Sequence, residues 1–159
     1  MIVPRVTSGN RKYIPIGYMD SSVICGDTCL MIPDASLYLF GIMESNVHMA
    51  WMKIICGRLK NDYRYSQIVY NNFPWPAPTD EQKKSIESTA SGILHARQLY
   101  PQATLADLYN IMSMPPELRR AHQANDRAVM SAYGFPVKGF TEADCVAELM
   151  KMYQELAKR

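Results

Sequence analysis

Pro74, Pro76 and Pro78 stand at alternate positions in Phe73-Pro74-Trp75-Pro76-Ala77-Pro78, and that spacing constrains the fold of this chain more than any other feature. Each proline fixes its own φ and pushes the residue before it into an extended conformation, so no helix and no fully hydrogen-bonded strand can run through the segment. A stiff connector is expected, with different structure on its two sides. Before it lie short β-type runs and aromatics; after it lie helix formers with strong capping signals. With 159 residues, 48% of them hydrophobic, the chain can bury one ordinary core, or one core and a small satellite. The expected class is α+β: a small mixed α/β portion with short strands over residues 1–78, then a C-terminal helical domain of three to four helices over 79–159.

In the first portion, Tyr13 to Ile16, Val23 to Cys25 and Cys29 to Ile32 read as strands, with Gly26-Asp27 turning between the last two. Asp34 is placed to cap a short helix through Phe40. Ser45 caps a second, from about Asn46 to Cys56, which Gly57 ends. That helix carries Val47, Met49, Trp51, Met52, Ile54 and Ile55, is apolar on nearly every side, and is expected to be buried. Tyr63 to Tyr65 and Gln67 to Tyr70 alternate as strand residues do.

Beyond the connector, Thr79 and Gln82 form a capping-box pattern ahead of Ile86, Ala90, Ile93 and Leu94 at helical spacing, and Pro101 stops the run. Thr104 and Asp107 open a short helix. Pro115-Pro116-Glu117 opens another, with Leu118, Ala121, His122, Asn125 and Val129 on one side and Gly134 at its end. Thr141, Glu142 and Asp144 start the last, whose stripe is Val146, Leu149, Met150, Tyr153 and Leu156, with Lys158 and Arg159 at its negative dipole end.

Composition narrows the function. The chain has no apolar run of about eighteen residues, and Met1-Ile2-Val3-Pro4-Arg5 is not a secretory leader; the expectation is a soluble, cytoplasmic protein with no membrane partner. Cys25, Cys29, Cys56 and Cys145 lack disulfide-framework spacing and read as reduced thiols. The eight glycines are scattered and form no phosphate or adenosyl cradle. His48, His95 and His122 fall on three separate helices without a partner at metal-ligand spacing, Cys25-x-x-x-Cys29 being the nearest approach, so no metal site is expected. No serine has a paired histidine and acid. Asn72-Phe73-Pro74-Trp75 has the wrong order for the Asn-Pro-Pro-aromatic loop of amino-methyltransferases. Glu81-Gln82-Lys83 matches a nuclease Glu-x-Lys but sits in the first turn of a capped helix. No catalytic residue is assigned.

Net charge is +2, and it is unevenly placed. Residues 1–78 hold seven Lys and Arg against five Asp and Glu, whereas 79–159 hold ten of each. Within the first portion Lys53, Arg58, Lys60 and Arg64 face only Asp62. Such a cluster can attract phosphates, or it can be an ordinary solvated basic surface. It lies in Gly57-Arg58-Leu59-Lys60-Asn61-Asp62-Tyr63-Arg64-Tyr65-Ser66, a polar, tyrosine-rich stretch directly after the buried helix. Nucleic acid is the first candidate ligand.

Five runs, in order, resemble a known family: Tyr13-Ile14-Pro15-Ile16-Gly17-Tyr18; Tyr38-x-Phe40-Gly41-Ile42-Met43-x-Ser45; His48-x-x-Trp51; Cys56-Gly57-Arg58-Leu59-x-x-Asp62-Tyr63-Arg64-Tyr65-Ser66; and Val69 to Pro76. Downstream, Ala96-Arg97, Leu105 to Tyr109, Met114 to Arg119, Ala121-His122 and Tyr133-Gly134 extend the match. The pattern resembles the C-terminal part of MmeI-like type II (type IIL) restriction-modification proteins, and it spans nearly the whole chain. The resemblance implies a fused parent in which a nuclease and an adenine-N6 DNA methyltransferase precede a target recognition domain. This chain would be the C-terminal portion of that recognition domain plus the terminal helical domain. It would bind double-stranded DNA beside an upstream methyltransferase domain, and would itself carry no cofactor. S-adenosylmethionine, and Mg for the nuclease, would belong to the parent.

The resemblance also assigns base reading to Lys60 and Asp62, with Arg64 at another base pair. A lysine donates to guanine O6 and N7 and an aspartate accepts from cytosine N4, so the pair would favour G·C. On an extended segment their i, i+2 spacing puts both on one face, with Tyr63 and Tyr65 turned inward as anchors. Arg58 could clamp a phosphate or cap the carbonyls of the helix ending at Cys56; Lys53 is a second candidate for a contact with the DNA backbone. Trp51, Phe73 and Trp75 are read as packing residues. The alternative is a helical protein-interaction module in which the basic loop is incidental.

Overall fold

In the computed structural model, which describes residues 1–158, the architecture is α+β. Two small antiparallel sheets and seven helices are found among the described residues. Strand β1 (Ile2–Pro4) pairs with β3 (Cys29–Met31), and β2 (Val6–Thr7), β5 (Asp62–Arg64) and β4 (Gly57–Leu59) form the second sheet in that order. The helices of residues 1–78 are α1 (Leu37–Met43), α2 (Asn46–Ile55) and α3 (Gln67–Asn71). After the connector come α4 (Asp80–Gln98), α5 (Leu105–Leu108), α6 (Pro116–Tyr133) and α7 (Glu142–Leu156). Arg159, read as a dipole partner of α7, lies outside the described residues.

Capping follows the sequence closely after the connector. Thr79, Thr104 and Thr141 each accept from the backbone N–H three residues on, and Gln82, Asp107 and Asp144 answer with reciprocal side-chain bonds. Each box satisfies two donors that a helix start leaves open. Gly134 closes α6 at φ 72°, the left-handed C-cap conformation that glycine adopts without Cβ strain. Ser45 caps α2 as read, and Val47 to Met52 are buried without a break.

The first portion departs from the reading at several points. Tyr13 to Ile16 is not a strand; Tyr13, Ile14 and Ile16 are buried in an irregular segment, where Pro15 has no N–H for a ladder. Val23 to Cys25 is an exposed loop, so Gly26-Asp27 joins no hairpin and β3 pairs with the N-terminal β1 instead. Ser36, not Asp34, caps α1 through Leu39 N–H, and Asp34 stands at φ 47°. Helix α2 ends at an extended Cys56, and Gly57 opens β4. Residues 67–71 are helical, not extended, and Trp51 Nε1 donates to the Val69 carbonyl at 3.0 Å, docking α3 on α2. Five residues with one buried side chain are too few for a helical period to be told from a strand's.

One hydrophobic core runs across the connector. It joins Phe40, Ile42, Val47 and Trp51 of α1 and α2 to Ile86 and Ile93 of α4, Leu118 and Val129 of α6, and Leu149 of α7. Gly41 makes the α1–α4 contact possible, because a Cβ there would lie 2.6 Å from Ile86 Cγ2 and 3.2 Å from Ala90 Cβ. The connector packs with it: Phe73 is buried, in edge contact with Trp75 and His48, and Tyr133 donates to the Pro74 carbonyl at 2.9 Å.

At the centre of this core lies a buried polar network. Glu44 Oε1 accepts from Ile16 N–H at 3.2 Å and from Arg97 Nη2 at 2.6 Å, while its Oε2 has no hydrogen-bond partner. Arg97 also donates to the Ile16 carbonyl at 2.7 Å and to the Tyr109 hydroxyl. His122 Nδ1 donates to the Glu44 carbonyl at 3.2 Å, which leaves Nε2 to accept from Tyr109 at 2.7 Å. Burial holds His122 far below the ordinary imidazole range, at about 3, with Arg97 adding repulsion. Burial pushes Glu44 up to about 7 despite Arg97. These bonds tie the segment after β2 to α1, α4, α5 and α6.

Candidate nucleic-acid interface

The polar stretch of residues 57–66 folds into a tight hairpin on the edge of the second sheet. Leu59 and Asp62 are paired across it, leaving Lys60 and Asn61 as a two-residue turn. Lys60 takes φ 56°, a conformation in which a side chain's Cβ is crowded and which residues other than Gly, Asn and Asp adopt rarely. Lys60 therefore does not share an extended face with Asp62. Its side chain leaves from the exposed tip of the hairpin, while Asp62 and Arg64 share one face of β5. The physical reason is length: three-residue strands with a two-residue loop put position 60 in the turn.

Tyr63, between Asp62 and Arg64, points the other way and is buried, as is Tyr65. Tyr65 donates its hydroxyl to His48 Nε2 at 2.9 Å, and His48 Nδ1 donates to the Met43 carbonyl at 3.0 Å. Strand β5 and the residue after it are thus anchored directly to α2, and both tyrosines are buried as the alternation implied. Thr7 on β2 and Arg58 on β4 lie opposite Tyr63. The Arg58 guanidinium sits 3.9 Å from the centre of the Tyr63 ring and donates weakly to the Asn61 carbonyl at 3.4 Å. That carbonyl belongs to the hairpin turn, so Arg58 braces the turn and not the end of α2.

The hairpin tip is also held from behind. Gly9 N–H donates to Asp62 Oδ1 at 3.3 Å, and a Cβ on Gly9 would fall 2.2 Å from the Asn61 carbonyl oxygen. Only glycine allows that approach. Asp62 consequently has one oxygen engaged in the fold and the other open. Lys53 is drawn elsewhere, ion-paired with Glu142 of α7 at 2.6 Å. Among the sequence-assigned residues, then, Arg58, Lys60, Asp62 and Arg64 are brought together on one hairpin, and Lys53 is not.

A groove beside the hairpin brings in residues that the sequence reading passed over. Arg64 lines it together with Arg5, Asp27, Thr28 and Ser66. Arg5 pins the opposite wall, its Nε donating to the Asp27 carbonyl at 2.6 Å and its N–H to the Thr28 carbonyl at 2.9 Å. Arg5 carries no sequence signal of its own, since it follows Pro4 outside any cluster. Only the pairing of β2 with β5, which sets Val6 opposite Arg64, reveals it.

Residues 1–77 match the MmeI target recognition domain family, and residues 78–159 match the MmeI C-terminal domain family. The chain belongs to the MmeI family. It is 42% identical, over its entire length, to DNA methyltransferase A of Bacillus subtilis (strain 168), of which it covers 18%. Its fold superposes with a TM-score of 0.95, at 43% identity and over 99% of its length, on the solved structure of the type IIL restriction-modification enzyme MmeI in complex with DNA, covering 21% of that chain. The chain thus spans about one fifth of the length of these MmeI-family relatives. Among its described residues no helix is long and apolar enough to cross a membrane, and no group of three or more His, Cys, Asp or Glu could hold a metal ion.

Proposed function

We propose that this chain is the sequence-reading fragment of an adenine-N6 DNA methyltransferase and restriction-modification protein, and that it reads base edges of duplex DNA through the β4–β5 hairpin. The observation that carries the reading is the hairpin itself: an exposed tip at Lys60 with Asp62 and Arg64 on one face of β5, rigidly mounted, in a chain whose fold matches a DNA-bound MmeI. Residues 1–78 act as the C-terminal portion of the target recognition domain and 79–159 as the helical C-terminal domain, with the proline connector between them. The upstream methyltransferase domain of the parent supplies the chemistry in the cytoplasm. S-adenosylmethionine and Mg belong there, and no step in this chain's role passes through them.

Lys60 donates to guanine O6 and N7, and the open oxygen of Asp62 accepts from cytosine N4, together selecting one orientation of a G·C pair. Arg64 reads a neighbouring pair from the adjoining groove. Arg58, stacked on Tyr63, presents its remaining N–H groups to a phosphate. Lys53 reaches a phosphate only by leaving Glu142, an exchange that costs little for a surface ion pair.

Selection of duplexes from a random pool by the chain at low salt, followed by sequencing, tests this. A fixed G·C position is expected, with binding that weakens steeply as salt rises. The double change Lys60→Glu with Asp62→Arg should reverse the pair to C·G at that position and leave the others alone. A selected sequence that is the same for the double variant and the native chain refutes the assignment.

A further inference from the structure

We infer that Ile24 makes an apolar contact with the bases of the bound duplex, beside the polar readers of the hairpin; the inference rests on the DNA-reading role proposed above. Ile24 is 97% exposed, the most exposed of the large apolar side chains, and Val23 next to it in sequence and Met19 five residues earlier are each about half exposed. The loop that holds it out is hydrogen-bonded on both sides. Before the tip, Val23 N–H donates to the Asp20 carbonyl and Ser22 N–H to the Asp20 carboxylate. After it, Cys29 N–H donates to the Gly26 carbonyl, and Arg5 grips Asp27 and Thr28. Isoleucine is thus presented to solvent at a built tip.

The place of that tip matters. Cys25 and Gly26 line one recess and Asp27 and Thr28 the next, and the two share Arg5, Cys29 and Tyr65. Ile24 directly precedes Cys25, which lines the recess adjoining the arginine-lined groove of Arg64. A duplex drawn to Arg5 by its phosphates and read at a base pair by Arg64 would bring bases to the loop. Apolar side chains meet bases in two ways, by packing on the C5-methyl of thymine or by wedging between base pairs. Both remove the isoleucine from water, and both give a sequence preference that the hairpin alone does not supply.

The test uses the duplex that the chain selects, remade with deoxyuridine for each thymidine in turn, or with 2-aminopurine for each adenine. If Ile24 packs on a thymine methyl, one deoxyuridine should weaken binding about fourfold, the scale of one buried methyl, and Ile24→Ala should abolish that difference. If it wedges, 2-aminopurine should brighten at one position with the native chain and not with Ile24→Ala. Neither effect at any position overturns the inference. The Lys60→Glu with Asp62→Arg double variant separates this from the wider proposal: when it changes the selected sequence while Ile24→Ala changes neither readout, only the Ile24 contact is refuted; when the double variant, Arg64→Ala and Ile24→Ala all select as the native chain does, DNA reading itself falls. The Tm of Ile24→Ala should match that of the native chain, since an exposed side chain is removed.

Discussion

Replacing Glu44 by glutamine asks whether the buried carboxylate is stabilised by Arg97 or destabilised by its surroundings. Two effects compete. Arg97 lies 2.6 Å from Oε1, and removing one partner of a buried pair commonly costs about 3–5 kcal/mol. Against that, the whole carboxyl group is out of water and Oε2 lacks any hydrogen bond, which penalises the charged form. Burial wins, since Glu44 is pushed from 4.5 up to about 7. A carboxyl raised in the folded state binds its proton more tightly there, so its stabilising contribution is full below pH 4.5 and is lost as pH rises through 7. A tenfold gain in proton affinity on folding is worth about 1.36 kcal/mol, and the window between those two pH values therefore carries about 3 kcal/mol.

Glutamine resembles the protonated acid at all pH values. The stability of Glu44→Gln relative to the native chain should accordingly be near zero at pH 4.5 and should rise by about 3 kcal/mol by pH 8. The difference is the quantity to measure, because the native curve alone is masked. His48 and His122 are depressed from 6.5 to about 4 and about 3 by burial, so their contributions are present above pH 6.5 and lost as pH falls, opposing the slope of Glu44. Asp126, raised to about 6 by burial, adds to the slope of Glu44. All three cancel in the difference. Urea unfolding followed by the fluorescence of buried Trp51 provides the assay. A difference that stays flat or turns against glutamine as pH rises would show that Arg97 dominates, and would refute the reasoning.

Lys60→Gly should relieve the left-handed strain at φ 56° and raise stability in the same urea assay by up to about 1 kcal/mol, the unfolded-state freedom of glycine limiting the gain. The variant should at the same time lose the preference at the G·C position; a loss of stability would mean that the Lys60 side chain holds the turn. Gly41→Ala should lower stability by roughly 1–3 kcal/mol, because its Cβ would press on Ile86 at 2.6 Å, and the melting temperature should fall accordingly. A neutral result would show that α1 and α4 can separate without loss.

How much was readable depended on whether the signal was local. Thr79, Thr104, Thr141 and Gly134 act within one turn of themselves, and all four stand where the sequence put them. Cys29 to Met31 is a strand as the sequence implied, but Tyr13 to Ile16 and Val23 to Cys25 were misplaced and β1 and β2 missed, because a two- or three-residue strand is defined by its partner, and the partners lie far off in sequence: Val3 opposite Leu30, and Val6 opposite Arg64. The same distance hid Arg5 from the candidate site. Glu44 escaped notice for another reason: its buried charge is countered by Arg97, 53 residues away, and a lone acid between Met43 and Ser45 reads as a helix end.

The hairpin shows how these local and distant terms combine. Its tip is strained at Lys60, and neither Arg58 nor Lys60 is buried to offset that strain. The offset comes from elsewhere: Gly9 closes against Asn61, Asp62 takes the Gly9 N–H, and Tyr63 and Tyr65 fix the strand to the core, Tyr65 through His48. A backbone held in an unfavourable conformation by an over-determined frame is pre-organised, so on the proposed contact with a base only the side-chain rotamers of Lys60 would remain to be ordered. This makes the frame separable from the reader. Changes at positions 60 and 64 should alter which sequence is bound while leaving the fold intact, changes at Asp62 should cost stability as well as specificity because it also holds the Gly9 N–H, and changes at Gly9, Tyr63 or His48 should lose fold and reading together.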